Sequence, residues 1–292
     1  MEHDDWTIAG ANGEVIRGST DLPKAGDEPR AVVLLGHGFK GYKDYGFIPA
    51  LGALVAQRAP AIVHRFNFSH SGMNEDVSTF GRPDLFENDT WNNQAFDLNA
   101  LHAKARSGEL PGAGDGPRLP IIWMGHSRGG ASCLLAAGRC ARDGGLAPDA
   151  IITIAAPAGA CRIDEATKRE IREQGFIVSP SARTRQKLRI SRAWLDEIEQ
   201  APEDHDIPAL ARHITCPVLV AHGADDPTVS PDDAKHLAEI LSNAELAIIA
   251  DANHVFNTAN PADLASAPSP QLAALADKVS VFVTRVGPLQ TG

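Results

Sequence analysis

The sequence predicts an α/β fold: a mostly parallel, doubly wound sheet with helices on both faces and a small helical insertion. Three observations predict it. Short apolar runs rich in Val and Ile recur along the chain, bounded by Gly or Pro, at Ala31–Leu35, Ala61–Phe66, Pro120–Met124, Ala150–Ile154, Pro217–Ala221 and Leu246–Ile249. They are continuous rather than alternating, as strands buried on both faces read. Each is followed by a longer amphipathic or Ala-rich segment, which makes right-handed strand–helix–strand crossovers the natural connection.

Taken in order, the first 30 residues, including Glu14–Ser19, are expected to add one or two antiparallel edge strands. Helices are expected at about 45–58, 90–106, 128–142, 232–242 and 269–285. From about Cys161 to His213 the rhythm breaks: no buried-strand run occurs and charged residues dominate. Within that stretch Asp164–Gln174 and Ser191–Gln200 read as amphipathic helices, with Ile163, Ala166 and Ile171 on one face and Trp194, Leu195 and Ile198 on the other. An insertion between two sheet strands tends to lie over their carboxyl ends, where open α/β sheets bind ligands. Residues 161–213 are therefore expected to form a cap within a single domain spanning 1–292; a peripheral helical decoration is the other reading.

The 292 residues carry 27 Lys+Arg against 37 Asp+Glu, a formal net charge of −10. That balance argues against nucleic acid as a partner, since phosphate binding needs clustered Lys and Arg. No stretch reaches the roughly 18 consecutive apolar residues of a membrane span, and the acidic opening MEHDDWTIAG lacks the basic and apolar regions of a signal peptide. A soluble, cytoplasmic protein with no membrane partner is expected. The cysteines, Cys133, Cys140, Cys161 and Cys216, form no C-x-x-C pair, so neither a zinc nor a redox motif is present. If Cys133 and Cys140 share a helix they stand roughly 10 Å apart, too far for a disulfide. No metal and no organic cofactor is implied.

The strongest chemical signal is Gly125-His126-Ser127-Arg128-Gly129-Gly130, directly after the strand run PIIWM and directly before the helical run ASCLLAAGRCA. G-x-S-x-G between strand and helix describes a nucleophile elbow, a turn so tight that side chains at the two glycines would collide with their neighbours. Serine alone is a weak nucleophile and needs a base. His254, in Asp251-Ala252-Asn253-His254-Val255-Phe256, follows the last strand run and so lies at the same sheet edge as Ser127. To orient it, His222-Gly223-Ala224-Asp225-Asp226 offers two adjacent carboxylates after the preceding strand; Asp226 is preferred, with Asp225 as a turn or cap residue. An oxyanion needs donors: the backbone N–H of Arg128, and that of Phe39 in Gly36-His37-Gly38-Phe39-Lys40-Gly41. Neither a P-loop nor a dinucleotide fingerprint occurs there.

With these residues in view, the chain resembles the α/β-hydrolase superfamily along nearly its whole length, through the HGF loop, GHSRGG, HGADDPTV and ADANHVF. In family loops of the form H-G-x-x-D-x-x-V the spaced aspartate is catalytic, which implies Asp226, and the HGF loop looks like the single-glycine oxyanion type. The stretch Arg65–Gly72 departs from the loop the family often carries after the next strand, so His70 or Ser71 is expected only to shape a pocket wall. Within the superfamily the resemblance is to dienelactone-hydrolase-like and cinnamoyl-esterase-like enzymes, with serine in the nucleophile position. It implies acyl transfer to Ser127 and hydrolysis by water activated at His254. The expected activity is cleavage of a small-molecule ester of a small or aromatic acid. An amide or short-peptide hydrolase, an acyltransferase, and a non-catalytic binding protein of the same fold are the alternatives. Lys40, His70, Trp194 and Phe256 are the candidate substrate contacts, and Trp123 is expected in the core. Arg183, Arg185, Lys187, Arg189 and Arg192 read either as a solvated face or as a field steering anionic substrates.

Overall fold

A computed structural model describes residues 4–112 and 118–286. The sequence runs β1 (Asp4–Ala9), β2 (Val15–Asp21), β3 (Ala31–Gly36), α1 (Ile48–Arg58), β4 (Ala61–Asn67), α2 (Pro83–Glu87), α3 (Trp91–Arg106), β5 (Ile121–His126), α4 (Arg128–Asp143) and β6 (Ala150–Ile154). It continues through α5 (Glu165–Gln174), β7 (Phe176–Pro180), β8 (Lys187–Ser191), α6 (Arg192–Gln200), α7 (Pro202–His205), α8 (Ile207–Ala211), β9 (Val218–Gly223), α9 (Pro231–Ile240), β10 (Ala244–Ile249) and α10 (Pro270–Val286). Eight strands form one sheet in the order β1-β2-β4-β3-β5-β6-β9-β10. From β4 to β10 all neighbours are parallel. The hairpin β1–β2 adds two antiparallel strands at one edge.

The reason the runs read as continuous is visible in their packing. Along β3, Ala31, Val33 and Leu35 enter a core with Leu51, Val55, Leu275 and Val279 of α1 and α10. Val32 and Leu34 enter the opposite core with Leu98 of α3, Leu135 of α4 and Leu237 of α9. β5 alternates in the same way, with Trp123 fully buried on one face and Met124 on the other. Burying a side chain of this size contributes roughly 1.5–3 kcal/mol, so a strand apolar on both sides is held from both sides. The helix ends follow local chemistry. Thr90 caps α3 by accepting from the Asn93 N–H at 3.3 Å, and Asp164 caps α5 by accepting from Thr167 at 2.7 Å. Left-handed glycines, Gly144 (φ 75°) and Gly175 (φ 81°), stop α4 and α5.

Three expectations need correction. The helix expected from 45 begins at Ile48, because residues 42–48 close two turns, Tyr45 N–H to Tyr42 O and Ile48 N–H to Tyr45 O. The insertion is not purely helical: β7 and β8 form a separate antiparallel hairpin between α5 and α6. Its strands are half exposed, with Leu188 the one fully buried side chain, so they carry no buried run to read. On α5, Ile171 is buried but Ala166 is exposed, so the apolar face is narrower than its sequence spacing suggests. All four cysteines are free. Among the described residues no helix is long and apolar enough to cross a membrane.

Candidate active site

Ser127 stands between β5 and α4 with φ 52° and ψ −120°, a left-handed conformation that a non-glycine residue adopts only under constraint. The constraint is the turn itself. The Ser127 N–H donates to Ile154 O at 2.7 Å, and Ser127 O accepts from the Ala131 N–H at 3.1 Å. A Cβ at Gly125 would stand 2.3 Å from the Gly129 backbone, and one at Gly129 would stand 2.5 Å from His37 O. The two glycines therefore let strand, helix and the loop after β3 meet at one point. Gly38 serves the same crossing, since a Cβ there would lie 3.0 Å from that of Ser127.

His254 and Asp226 arrive from the ends of β10 and β9. Gly223 lets these ends close up: a Cβ on it would lie 2.3 Å from Ala252 O. His254 Nδ1–H donates to Asp226 Oδ2 at 2.7 Å. Asp226 Oδ1 accepts from the N–H groups of Thr228 (2.8 Å) and Val229 (3.0 Å). Burial alone would raise the Asp226 pKa, but hydrogen bonds from His222, His254 and the Val229 N–H outweigh it and hold the carboxyl well below the usual carboxylate range. Asp225, by contrast, is exposed. The His254 loop is braced from within. Asn253 Oδ1 accepts from the Val255 and Asn257 N–H groups, and Asn257 Nδ2–H donates to Asp251 O.

Two further histidines at strand ends, His222 and His126, take part in this bracing. His222 Nε2 lies 3.2 Å from Asp226 Oδ2 and 3.0 Å from Val229 O, so its N–H faces the same carboxylate as His254. His126 Nε2–H donates to the His254 carbonyl at 3.0 Å, and its ring lies 4.7 Å from that of His254. Burial, and then the nearby His254, lower the His126 pKa to about 3, so it stays neutral and keeps that geometry. His37 is likewise buried, which lowers its pKa to about 4; its Nδ1–H donates to Gly38 O, within the loop that carries Phe39. The only sequence signal for these roles was their position at strand ends.

Ser127 and His254 border one cavity of about 310 Å³, together with Gly38, Phe39, Lys40, Tyr45, His126, Val255 and, from the β7–β8 turn, residues 180–183. Among the described residues no hydrogen bond joins the Ser127 hydroxyl to His254; such contacts are commonly long until substrate draws them together. The N–H groups of Phe39 and Arg128 donate to no acceptor among the described residues. Arg128 is the first residue of α4, where helix N–H groups lack intrahelical partners. Its side chain is buried, donates to Asp89 O at 2.7 Å and lies over the Trp91 ring.

Lys40 lines the cavity, and its Nζ donates to Pro180 O at 2.7 Å. The other expected contacts do not. His70 is buried behind the β4 end, bonded to Ser69 Oγ. Trp194 packs against the core on the α3–α4 side of the sheet. Phe256 is fully buried at φ 53° against Phe47, anchoring the His254 loop from beneath. Among the described residues no group of three or more His, Cys, Asp or Glu side chains is placed to hold a metal ion.

Solved structures of similar shape span nearly the whole chain. Est1E from Butyrivibrio proteoclasticus is 16% identical with a TM-score of 0.65, covering 97% of this chain and 98% of its own. The esterase domain of a Rhodothermus marinus protein is 19% identical at a TM-score of 0.63, covering 98% and 100%. Dienelactone hydrolase from Anabaena variabilis is 15% identical at 0.61, covering 98% and 99%. At such identities these likenesses speak for the fold alone. No curated protein sequence is significantly similar. The profile of the alpha/beta hydrolase family matches residues 32–267, which takes in the elbow, the Asp226 loop and the His254 loop. The chain belongs to the alpha/beta hydrolase family.

Proposed function

We propose that the chain is a serine hydrolase that cleaves a carboxylic ester of a small or aromatic acid through an acyl-enzyme on Ser127. The observation that carries this reading is the 2.7 Å bond from His254 Nδ1–H to Asp226. It leaves His254 Nε2 as the proton acceptor, on an imidazole that borders the same cavity as Ser127. His254 takes the Ser127 Oγ proton as Oγ attacks the ester carbonyl. The carbonyl oxygen becomes an oxyanion that accepts from the N–H groups of Phe39 and Arg128, each donor being typically worth about 3 kcal/mol of barrier. His254 then protonates the departing alcohol. Water enters, gives its proton to His254 and attacks the acyl carbonyl, and the acid leaves as Ser127 regains its hydrogen. Est1E, of the same fold, has been solved with ferulic acid bound, which supports an aromatic acid as the acyl group. Turnover of para-nitrophenyl acetate and of methyl ferulate by the wild type and by Ser127→Ala tests the reading. Hydrolysis lost by at least about a thousandfold in the variant is expected; equal rates in both would refute a serine mechanism.

A further inference from the structure

The cavity beside Ser127 is bordered by two cations and by no acidic side chain: Lys40 from the loop after β3, and Arg183 from the β7–β8 turn. That is unexpected in a chain with ten more acidic than basic residues. Several of its other cations find carboxylates, as Arg65 does with Asp21, Arg106 with Asp149 and Arg128 with Asp89. Among the described residues neither Lys40 nor Arg183 has such a partner. Lys40 spends one of three N–H groups on Pro180 O. Arg183 donates to Val77 O and Met73 Sδ, which leaves three of its five N–H groups. Its guanidinium is held in place by the rings of Tyr42 at 4.9 Å and Phe80 at 5.3 Å. The Lys40–Pro180 bond ties the two supporting segments together, so both charges are positioned rather than loose.

We propose that Lys40 and Arg183 form a subsite for a carboxylate, and that the ester cleaved at Ser127 carries this second, anionic group. The proposal rests on the reading of Ser127 as nucleophile and names its substrate class. Arg183 offers the planar guanidinium that pairs with carboxylate oxygens, and Lys40 a point charge from the loop after β3. Burial lowers the Lys40 pKa with no anion to offset it, and a substrate carboxylate would supply that offset.

Two matched ester pairs test it. In one the charge is on the acyl part, para-nitrophenyl hydrogen adipate against para-nitrophenyl methyl adipate; in the other it is on the leaving group, para-acetoxybenzoate against its methyl ester. The wild type is expected to favour the charged member of at least one pair by about tenfold or more in kcat/KM, chiefly through KM. That ratio should shrink at least about fivefold in Lys40→Gln and in Arg183→Gln, and should shrink as salt rises from about 0.05 to about 0.5 M. A neutral preference in both pairs, or a ratio unmoved in both variants, overturns the proposal. Calorimetric binding of monomethyl adipate and dimethyl adipate to Ser127→Ala separates this from the catalytic reading. Tighter binding of the anion supports the subsite even if no ester is turned over, a result that would sink the hydrolase reading alone. Equal or weaker binding of the anion overturns the subsite whatever the enzyme's activity.

Discussion

Asp226 accepts from His254 on one oxygen and from the Thr228 and Val229 N–H groups on the other, while the neighbouring Asp225 stands in solvent. An amide at position 226 would turn its NH2 either toward His254, forcing the wrong tautomer, or against two backbone donors. Asp226→Asn is therefore expected to lower kcat by about a thousandfold or more, and Asp225→Asn by less than about twofold, in the same ester assay. The reverse order would move the acid to Asp225. That a carboxylate of this loop meets His254 was legible, because both loops leave the same sheet edge; which of the two does so came from the H-G-x-x-D-x-x-V pattern of the family resemblance and not from position alone. The contributions of His126 and His222 were not legible, since they depend on which way a buried ring turns. Phe256 and Trp194 were misread for a related reason. An aromatic residue in a loop looks the same in sequence whether it points into a cavity or into the core.

Among the elements, the elbow was the most legible because its glycines answer a steric demand that no other residue meets. That demand can be measured. A Cβ at Gly125 would stand 2.3 Å from the Gly129 backbone, whereas one at Gly159 meets nothing within 4 Å. Gly125→Ala is expected to cost about 3 kcal/mol or more, lowering the thermal midpoint and the activity together. Gly159→Ala should shift stability by less than about 0.5 kcal/mol. Equal midpoints for the two variants would mean that the turn yields without strain. The buried strands were legible because a parallel strand covered on both faces has to be apolar throughout. The β7–β8 hairpin escaped because half-exposed strands satisfy no such rule, and its polar residues read as helix or loop. That omission matters, since this hairpin supplies the Pro180–Arg183 wall of the cavity.

At the scale of the whole molecule, buried titratable groups set the pH range in which the fold persists. Burial lowers the pKa of His37 and His102 to about 4 and of His64 and His126 to about 3. Each stays neutral when folded but takes a proton near pH 6.5 when unfolded. Their stabilisation is thus complete above about pH 6.5 and is lost as pH falls toward 4 and below. Asp97 and Asp89 oppose them: burial raises both carboxyls, Asp97 to about 7, so they favour the fold at low pH and lose that advantage as pH rises from about 4. Four histidines outnumber the two carboxyls, and Asp226, held below the usual carboxylate range, adds to the loss in acid, so the histidines prevail. The thermal midpoint, followed by circular dichroism, should fall as pH drops from 6.5 to 4. A flat or rising midpoint would show that these groups are hydrated rather than buried. Beyond stability, the proposed chemistry requires that the fold activate Ser127 as a nucleophile. Intact-mass analysis after treatment with a fluorophosphonate probe, followed by peptide mapping, tests it most directly. The expected result is a single adduct on the wild type, mapped to Ser127 and absent from Ser127→Ala. No adduct on folded wild-type protein, or an adduct that persists in the variant, would contradict it.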